Sequence, residues 1–274
     1  MRLKEVLKGK LTEQELLSVK QAFDMIGSIA ILDIPKELLK RQKIIAEAVM
    51  KANSHITTVV KKKGTHTGEF RIQHVSHLAG IRTKETLHKE NGVIVKLNIG
   101  KCYFSPRLVT ERKRIAEFVK QGEEVLVMFS GVGIYCAVLA KNTKARGIIG
   151  IEKNPAAHTY AVENVRLNKI KNVQVYCGDV RIVVPKLKKA FDRILMPLPM
   201  GAEDYLDVAL GVIRKKGTIH FYGFLHETEF PHVAEEKVLK ACKEADRKCK
   251  ILQTVKCGDY APRRWRVCVD VEVN

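Results

Sequence analysis

The chain has 274 residues, of which 46% are hydrophobic, so one large domain or two modest ones can bury a core. No apolar run reaches the roughly eighteen residues of a membrane span, and the amino terminus lacks the apolar stretch of a signal peptide, so we expect a cytoplasmic protein without a membrane partner. The 49 Lys and Arg residues exceed the 30 Asp and Glu residues, and the net charge of +19 favours a polyanionic partner unless the whole proteome is rich in lysine.

The first part of the chain is predicted to form a short helix, up to residue 24, followed by a small α+β domain over residues 25–104. In the helix, read over residues 1–22, Thr12 and Glu15 have the spacing of a capping box. Short apolar or alternating segments then predict strands around one helix near residues 36–52. The strand segments are SIAILDI, ITTVVKKK, GVIVKLNI and KCYF.

Residues 105–274 alternate regularly between apolar strands and helical patterns, which predicts a parallel, doubly wound sheet. The predicted strands are VLVMF, GIIGIE, VQVYCGD, RILM and TIHFYGF, and the predicted helices include 107–120, PAAHTYAVENVRLN and one through Leu210 that ends at Lys215-Lys216-Gly217. Two further strands, ILQTV and RVCVDVEV, predict an antiparallel hairpin at the sheet edge, with Arg263-Arg264-Trp265 in its loop. The fold class is therefore α/β.

Three features follow successive predicted strands, where a doubly wound fold binds its ligand. Gly131 and Gly133 in FSGVG allow close backbone approach, but a third glycine of the dinucleotide motif is missing, which argues against NAD. Glu152 ends the second strand, where an acid accepts hydrogen bonds from ribose hydroxyls, and Asp179 ends the third. Each alone fits a turn, a surface charge or a helix cap, and the three together favour an adenosine-containing ligand.

The cysteines and histidines do not have metal-site spacing. Seven cysteines form no CxxC pair, and most lie in apolar runs, so we expect reduced, buried thiols and no zinc site. His66, His74, His77 and His88 likewise predict no metal ligation. The run Lys61-Lys62-Lys63 is interpreted as a basic loop that contacts phosphate or is solvated.

The chain resembles the archaeal and eukaryotic tRNA guanosine-37 N1-methyltransferases, over about residues 25–274. The matching segments are GEFR at 68–71, FSPRLVTER at 104–112, FSGVG at 129–133, IEKNP at 151–155, ENVRLNKIKNV at 163–173, GDVR at 178–181, DRILMPLP at 192–199 and YAPRRW at 260–265. The resemblance implies a Rossmann-like class I methyltransferase domain, S-adenosylmethionine as cofactor, and a monomer that binds the anticodon stem-loop of tRNA.

The resemblance also implies roles for individual residues. Guanine N1 must lose a proton before it attacks a methylsulfonium, and negative charge then builds on O6. The family's general base falls on Glu111 and its O6-stabilising arginine on Arg71; a structural salt bridge is the alternative. The remaining implied contacts are Arg112, Phe129 and Pro197 with the cofactor, and Tyr103, Phe104, Arg107 and Pro199 with the target base or anticodon.

The sequence departs from the family at three places. Val127 stands where many relatives have an acid, and Pro197 stands where an asparagine is common. Only a short helix precedes residue 25, whereas many relatives have an extra tRNA-elbow domain there.

Two alternatives stay open. The wybutosine-pathway aminocarboxypropyl transferases share the fold and cofactor but read SPANVKER and MGYV, and here SPRLVTER and MPLP favour methyl transfer. Because of Val127 and Pro197, a non-catalytic RNA-binding relative is the second alternative.

Overall fold

The computed structural model describes residues 3–274, which form two compact units. One unit comprises the described residues up to Lys89 together with Ile94–Pro106. The other comprises Glu90–Val93 together with Arg107–Asn274.

The amino-terminal unit is a small α+β fold, as expected. Its helices are α1 (Leu3–Leu7), α2 (Glu13–Ser18) and α3 (Gln42–Ala52), and a 3-10 helix at Lys36–Arg41 leads into α3. Its strands are β1 (Asp24–Ile26), β2 (Ile29–Leu32), β3 (Thr58–Thr67), β4 (Ile72–Gly80), β5 (Glu85–Glu90) and β6 (Val93–Asn98). Strands β1 to β4 form one sheet in that order, parallel only between β2 and β3, and β5 and β6 form a separate pair.

The helices of this unit pack apolar side chains onto one face of the sheet. Leu7, Leu38, Ala46 and Val49 meet Val59 in a buried cluster. The predicted capping box is present, because Thr12 accepts from the Glu15 amide and Glu15 accepts from the Thr12 amide. These local contacts fix where α2 begins.

Several predictions for this unit were wrong. The single amino-terminal helix is two helices, because Gly9 turns the chain at a φ of 76° between them; residues 1 and 2 of that prediction lie outside the described residues. Lys61, Lys62 and Lys63 lie within β3 rather than in a loop, where Lys61 donates to Gln42 and Lys62 pairs with Asp24. The segment KCYF forms no strand.

The carboxy-terminal unit is the predicted doubly wound fold. Its strands are β7 (Glu124–Met128), β8 (Gly147–Glu152), β9 (Val173–Cys177), β10 (Phe191–Met196), β11 (Ile213–His226), β12 (Cys249–Ala261) and β13 (Arg264–Val273). Its helices are α4 (Val109–Phe118), α5 (Ile134–Asn142), α6 (Pro155–Leu167), α7 (Val180–Leu187), α8 (Leu206–Val212) and α9 (His232–Glu244), with 3-10 turns at Pro106–Leu108, Ala202–Tyr205 and Glu227–Glu229.

These strands form one sheet in the order β12-β13-β11-β10-β7-β8-β9. The strands from β11 to β9 are parallel, and β12 and β13 form the expected antiparallel hairpin at the edge. Arg263 lies in its turn, but Arg264 and Trp265 are paired residues of β13 rather than loop residues as predicted. All five residues of β7 are buried, because helices cover both faces of a central parallel strand. After β7 the chain continues to β8 and β9 on one side of β7, and it then crosses to the other side of β7 to form β10. The strand order therefore reverses between β7 and β10. A crevice for a ligand is expected at that point.

Two further local expectations for this unit were wrong. Lys215, Lys216 and Gly217 do not end a helix, because α8 stops at Val212 and these residues form an irregular start of β11 with Lys216 at a φ of 60°.

The second error concerns the cysteines. Cys242 and Cys249 form a disulfide, since the turn after α9 is closed by a bond from the Arg247 amide to the Cys242 carbonyl. Cys177 is exposed, whereas Cys102, Cys136 and Cys268 are buried as expected. Within residues 3–274, every helix is too short or too polar to cross a bilayer.

Candidate active site

The ends of three neighbouring parallel strands bring the predicted cofactor residues together. The amide of Gly131, after β7, donates to Oε2 of Glu152 at the end of β8 at 2.7 Å. The amide of Gly178, after β9, donates to the carbonyl oxygen of Glu152 at 2.9 Å. Glu152 is therefore the common partner of both glycine-containing turns.

The turn after β7 depends on backbone conformations with positive φ. Phe129, Gly131 and Gly133 have φ values of 57°, 57° and 79°. A Cβ on Gly133 would lie 3.1 Å from the Cβ of Ala161 in α6, so this position needs glycine for space as well as conformation. The turn brings backbone amides to the amino-terminal end of α5, a favourable position for a polar or anionic ligand.

Backbone amides hold the Glu152 carboxylate in place. Its Oε2 accepts from the Gly131 amide and its Oε1 from the Asn154 amide at 2.8 Å. The Lys153 amide contributes a third backbone hydrogen bond to this carboxylate, and because each carboxylate oxygen has two acceptor positions, one position can still accept from a ribose hydroxyl. Burial raises the pKa of Glu152 against the opposing hydrogen bonds from Asn154 and Gly131. This donor and acceptor set fits the ribose of an adenosine moiety.

Both carboxylate oxygens of Asp179 already bond to other residues of the protein. Its carboxylate caps α7 by accepting from the Arg181 amide at 2.9 Å and pairs with the Lys153 ammonium at 3.0 Å. Burial opposes the charged form, but the bonds from Arg181 and Lys153 prevail and lower the pKa of Asp179. An adenine amino group would have to share this carboxylate with Lys153.

Aromatic and proline residues surround this edge of the sheet. The Phe129 ring lies 5.0 Å from the Tyr205 ring in an edge-to-face arrangement. Pro197 follows β10 and is half-buried, and Pro199 is buried. Val127 is fully buried within β7, so its side chain belongs to the core.

Arg112 is almost completely buried and already has a carboxylate partner. Its Nε donates to Oε1 of Glu90, and its Nη2 donates to Oε2 at 2.6 Å. The guanidinium carbon lies 5.8 Å from the centre of the Tyr135 ring. The implied contact of Arg112 with a methionine carboxylate therefore stays a prediction.

Glu111 lies in the first turn of α4 with its side chain only 3% exposed. Arg114 donates from Nε to Oε2 and from Nη2 to Oε1, both at 2.7 Å. The Tyr222 hydroxyl of β11 donates to Oε1 at 2.6 Å. Among the described residues, Oε1 thus accepts two hydrogen bonds and Oε2 accepts one, which leaves one acceptor position on Oε2.

Arg114 also bonds to a second buried acid, Asp270, which in turn bonds to His220. Nη1 of Arg114 donates to Asp270 of β13 at 2.6 Å, and Asp270 bonds to Nδ1 of His220 at 2.6 Å. The sequence patterns did not single out Arg114, Tyr222, His220 or Asp270. The available signal was the presence of polar residues within the apolar strands HFYGF and VCVDVEV.

The predicted substrate residues of the amino-terminal unit form their own aromatic group. Arg71 lies in the turn before β4 at a φ of 51°, and its guanidinium carbon is 5.4 Å from the centre of the Tyr103 ring. Tyr103 also meets the His66 ring at 5.4 Å, and Phe104 meets the His88 ring at 5.0 Å. A cation beside aromatic rings is a suitable surface for an unstacked base. Arg107 is exposed in the carboxy-terminal unit.

Three buried groups, His220, Cys268 and Asp270, have potential metal-ligand atoms within 4.8 Å of one another. Nε2 of His220 is bonded to Arg193 and Asp270 is bonded to Arg114. Two guanidinium cations disfavour a metal cation at this position. Hydrogen bonding among the side chains accounts for the cluster.

Comparison with protein families matches residues 86–252 to the TRM5/TYW2 methyltransferase domain and residues 3–83 to the TYW2 N-terminal domain. The Pyrococcus abyssi tRNA (guanine(37)-N(1))-methyltransferase Trm5b is 36% identical over 99% of this chain and 83% of its own length. A Methanocaldococcus jannaschii tRNA(Phe) (4-demethylwyosine(37)-C(7)) aminocarboxypropyltransferase is 34% identical over 91% of this chain and 97% of its own length.

Solved structures of Trm5 and TYW2 proteins are also similar to this chain. A complex of aTrm5 with tRNALeu has a TM-score of 0.86 at 30% identity, covering 100% of this chain and 78% of the other. Pyrococcus horikoshii TYW2 in complex with MeSAdo has a TM-score of 0.83 at 29% identity, covering 99% and 98%.

Proposed function

This chain belongs to the family defined by the TRM5/TYW2 methyltransferase domain, and on that premise we propose that it methylates N1 of guanosine 37 in tRNA. The observation that carries the proposal is Glu111, a buried carboxylate within the segment SPRLVTER with one open acceptor position on Oε2. Methylation at N1 requires removal of the N1 proton, which a carboxylate with an open acceptor position can take up.

S-adenosylmethionine is the cofactor, and it supplies an electrophilic methyl group on its sulfonium. Glu152 would bind a ribose hydroxyl with the acceptor position that its backbone partners leave. The amides of the turn at 129–133 would line the cofactor, and Phe129 would cover it. Asp179, Arg112 and Pro197 are proposed as further contacts.

The chain's own residues supply the acid–base chemistry. Oε2 of Glu111 accepts the N1 proton of guanine, and the negative charge that develops on O6 is stabilised by the Arg71 guanidinium, which is always charged. Tyr103 and Phe104 offer aromatic faces to the target base, and Arg107 and Pro199 are proposed at its edge. We propose that the protein acts as a monomer on the anticodon stem-loop.

A second candidate is transfer of the aminocarboxypropyl group to a wybutosine precursor. The match of residues 3–83 to the TYW2 N-terminal domain supports it, as does the similarity to the Methanocaldococcus jannaschii transferase. Methyl transfer is favoured because SPRLVTER and MPLP differ from the transferase pattern at the two segments nearest the chemistry.

The deciding experiment is incubation with S-adenosylmethionine and unmodified tRNA bearing guanosine 37, followed by nucleoside mass spectrometry. We expect one added methyl at that guanosine and none in a matched tRNA with adenosine at the position. Absence of methylation, together with an aminocarboxypropyl adduct on tRNA carrying 4-demethylwyosine, would assign the chain to the second reaction.

Glu152→Gln is expected to weaken S-adenosylmethionine binding by roughly 10- to 100-fold, the cost of about one lost charge-assisted hydrogen bond. The side chain of glutamine has one accepting oxygen, and its amide nitrogen only donates, so the amide of Gly131 or of Asn154 loses its partner. Calorimetry measures the cofactor affinity, with exposed Glu236→Gln as the control. A variant that binds the cofactor normally but binds tRNA poorly would reassign Glu152.

Binding of tRNA is expected to weaken steeply with salt, because lysine and arginine contacts release counterions from phosphates. With about six phosphate contacts, affinity falls by roughly a thousandfold between about 50 and 200 mM salt. Filter binding or fluorescence anisotropy over a salt series measures the slope. A flat response would mean that the net charge of +19 does not serve RNA binding.

A further inference from the structure

A buried carboxylate–guanidinium–carboxylate group joins α4 to β13. Arg114 forms two hydrogen bonds with Glu111 and donates to Asp270 at 2.6 Å with Nη1. The side chains of Glu111 and Asp270 are each 3% exposed, and that of Arg114 is 20% exposed. One cation therefore lies between two acids that water screens poorly.

Asp270 keeps its charge in this group. Burial opposes ionisation, but hydrogen bonds from His220 and Arg114 hold the pKa of Asp270 well below its usual range. Gln253 adds a donor to Oδ2 of Asp270 at 2.8 Å. Asp270 thus presents a full negative charge to Arg114.

His220 does not neutralise that charge. Its Nε2 lies 2.7 Å from Nη1 of Arg193, and because a guanidinium only donates, Nε2 must accept. The proton is then on Nδ1 and donates to Asp270, so the imidazole is neutral. Burial lowers the pKa of His220, which agrees with this state. Arg193 in turn is matched by Glu123 at 2.7 Å.

We propose that Asp270 is a positioning residue that keeps Glu111 basic by sharing Arg114. A guanidinium paired with Glu111 alone would stabilise its carboxylate and make it a poor proton acceptor. Asp270 offsets that cation and holds Arg114 in the orientation that occupies both Glu111 oxygens. This inference rests on the proposed function, in which Glu111 accepts the N1 proton.

Tyr222 completes the arrangement from β11. Burial raises the pKa of Tyr222 well above its ordinary value, so the hydroxyl remains protonated and donates to Oε1 of Glu111. Tyr135 of α5 donates to the Tyr222 oxygen at 3.2 Å and fixes its orientation. Together these contacts direct the open acceptor position to Oε2.

The charged and titratable groups that face Glu111 come from five elements. They are Arg114 of α4, Tyr135 of α5, Tyr222 of β11, Cys257 of β12, and Cys268 and Asp270 of β13. Burial raises the pKa of Cys257 and of Cys268, so both thiols stay neutral. Asp270 is the carboxylate in this set, and it is bonded to Arg114.

Two variants with opposite expected effects test the inference. In Asp270→Asn, Arg114 acts on Glu111 alone, so protonation of Glu111 shifts to lower pH by about one pH unit, in the range that a neighbouring cation produces. In Arg114→Gln, the buried carboxylate loses its cation, and protonation shifts to higher pH by at least as much. Asp192→Asn, at an acid paired with Arg214, is the control.

Protonation is read from the side-chain carbon signal of Glu111 in protein labelled with ¹³C-glutamate, assigned by its loss in Glu111→Gln. This reading needs no catalysis and separates the two proposals. In the pH–rate profile of methyl transfer, the acidic limb of Asp270→Asn is expected to move to lower pH, with a plateau roughly three- to tenfold lower because a weaker base is slower.

The outcomes are distinguishable. If the Glu111 signal titrates at the same pH in wild type and in Asp270→Asn, the role of Asp270 is overturned. If the signal moves as expected but the rate profile does not, Asp270 controls Glu111 and the assignment of Glu111 as the base fails. If Asp270→Asn does not fold, an Arg114→Gln variant whose Glu111 signal does not move to higher pH overturns the proposal, because sharing Arg114 then has no effect on Glu111; a shift to higher pH supports it.

Discussion

Replacing Glu111 by glutamine is expected to lower the rate of methyl transfer by about 10²- to 10⁴-fold, the usual contribution of a general base. Glutamine is nearly isosteric but cannot accept a proton. Its amide group also faces Arg114, which donates to both Glu111 oxygens in the wild type. Single-turnover kinetics with guanosine-37 tRNA measure the chemical step directly.

The control for this variant is Glu117→Gln, at an exposed acid on the same helix. Affinities for tRNA and S-adenosylmethionine should change little, because the proposed role of Glu111 lies in the transition state. Thermal unfolding reports the structural cost of disturbing Arg114. Unchanged turnover in a folded Glu111→Gln variant would eliminate Glu111 as the base and leave it as the structural ion pair that the sequence also allowed.

The strands and turns around the proposed cofactor site were predictable because their information is local. Apolar strands alternate with helical patterns from residue 105 onward, and the turn with Gly131 and the acids Glu152 and Asp179 follow successive strands. In a parallel sheet, the carboxyl ends of neighbouring strands lie at one edge. The bonds from Gly131 and Gly178 to Glu152 have the arrangement that this rule implies.

The contacts around Glu111 were not predictable, because they join residues far apart in sequence. Glu111, Tyr222 and Asp270 lie on α4, β11 and β13, and only the register of the antiparallel β11 and β13 pair brings His220 opposite Asp270. No local pattern encodes that register.

The errors in the amino-terminal unit have a similar cause. Strand β4 has few apolar residues, and β3 continues through three lysines because its pairing with β4 and the partners Gln42 and Asp24 accommodate them. Tertiary pairing there overrides the local preference for a loop.

Arg71→Met is expected to lower the rate of methyl transfer by about 10²- to 10³-fold, which is typical for loss of one donor to a developing oxyanion. Methionine keeps an unbranched side chain against Tyr103 but removes the charge. Because arginine already carries a Cβ at a φ of 51°, the substitution adds no new backbone strain. Arg71→Lys should recover part of the rate, since an ammonium supplies charge without the planar pair of donors.

The matched control is Arg82→Met, which removes an exposed guanidinium from the same unit. Both variants lose one positive charge, so any general weakening of tRNA binding should be similar in the two. A loss of turnover confined to Arg71→Met, measured at saturating tRNA, would therefore be a transition-state effect. If Arg71→Met and Arg82→Met instead differ only in tRNA affinity, Arg71 contributes to RNA binding, and stabilisation of O6 must come from another donor.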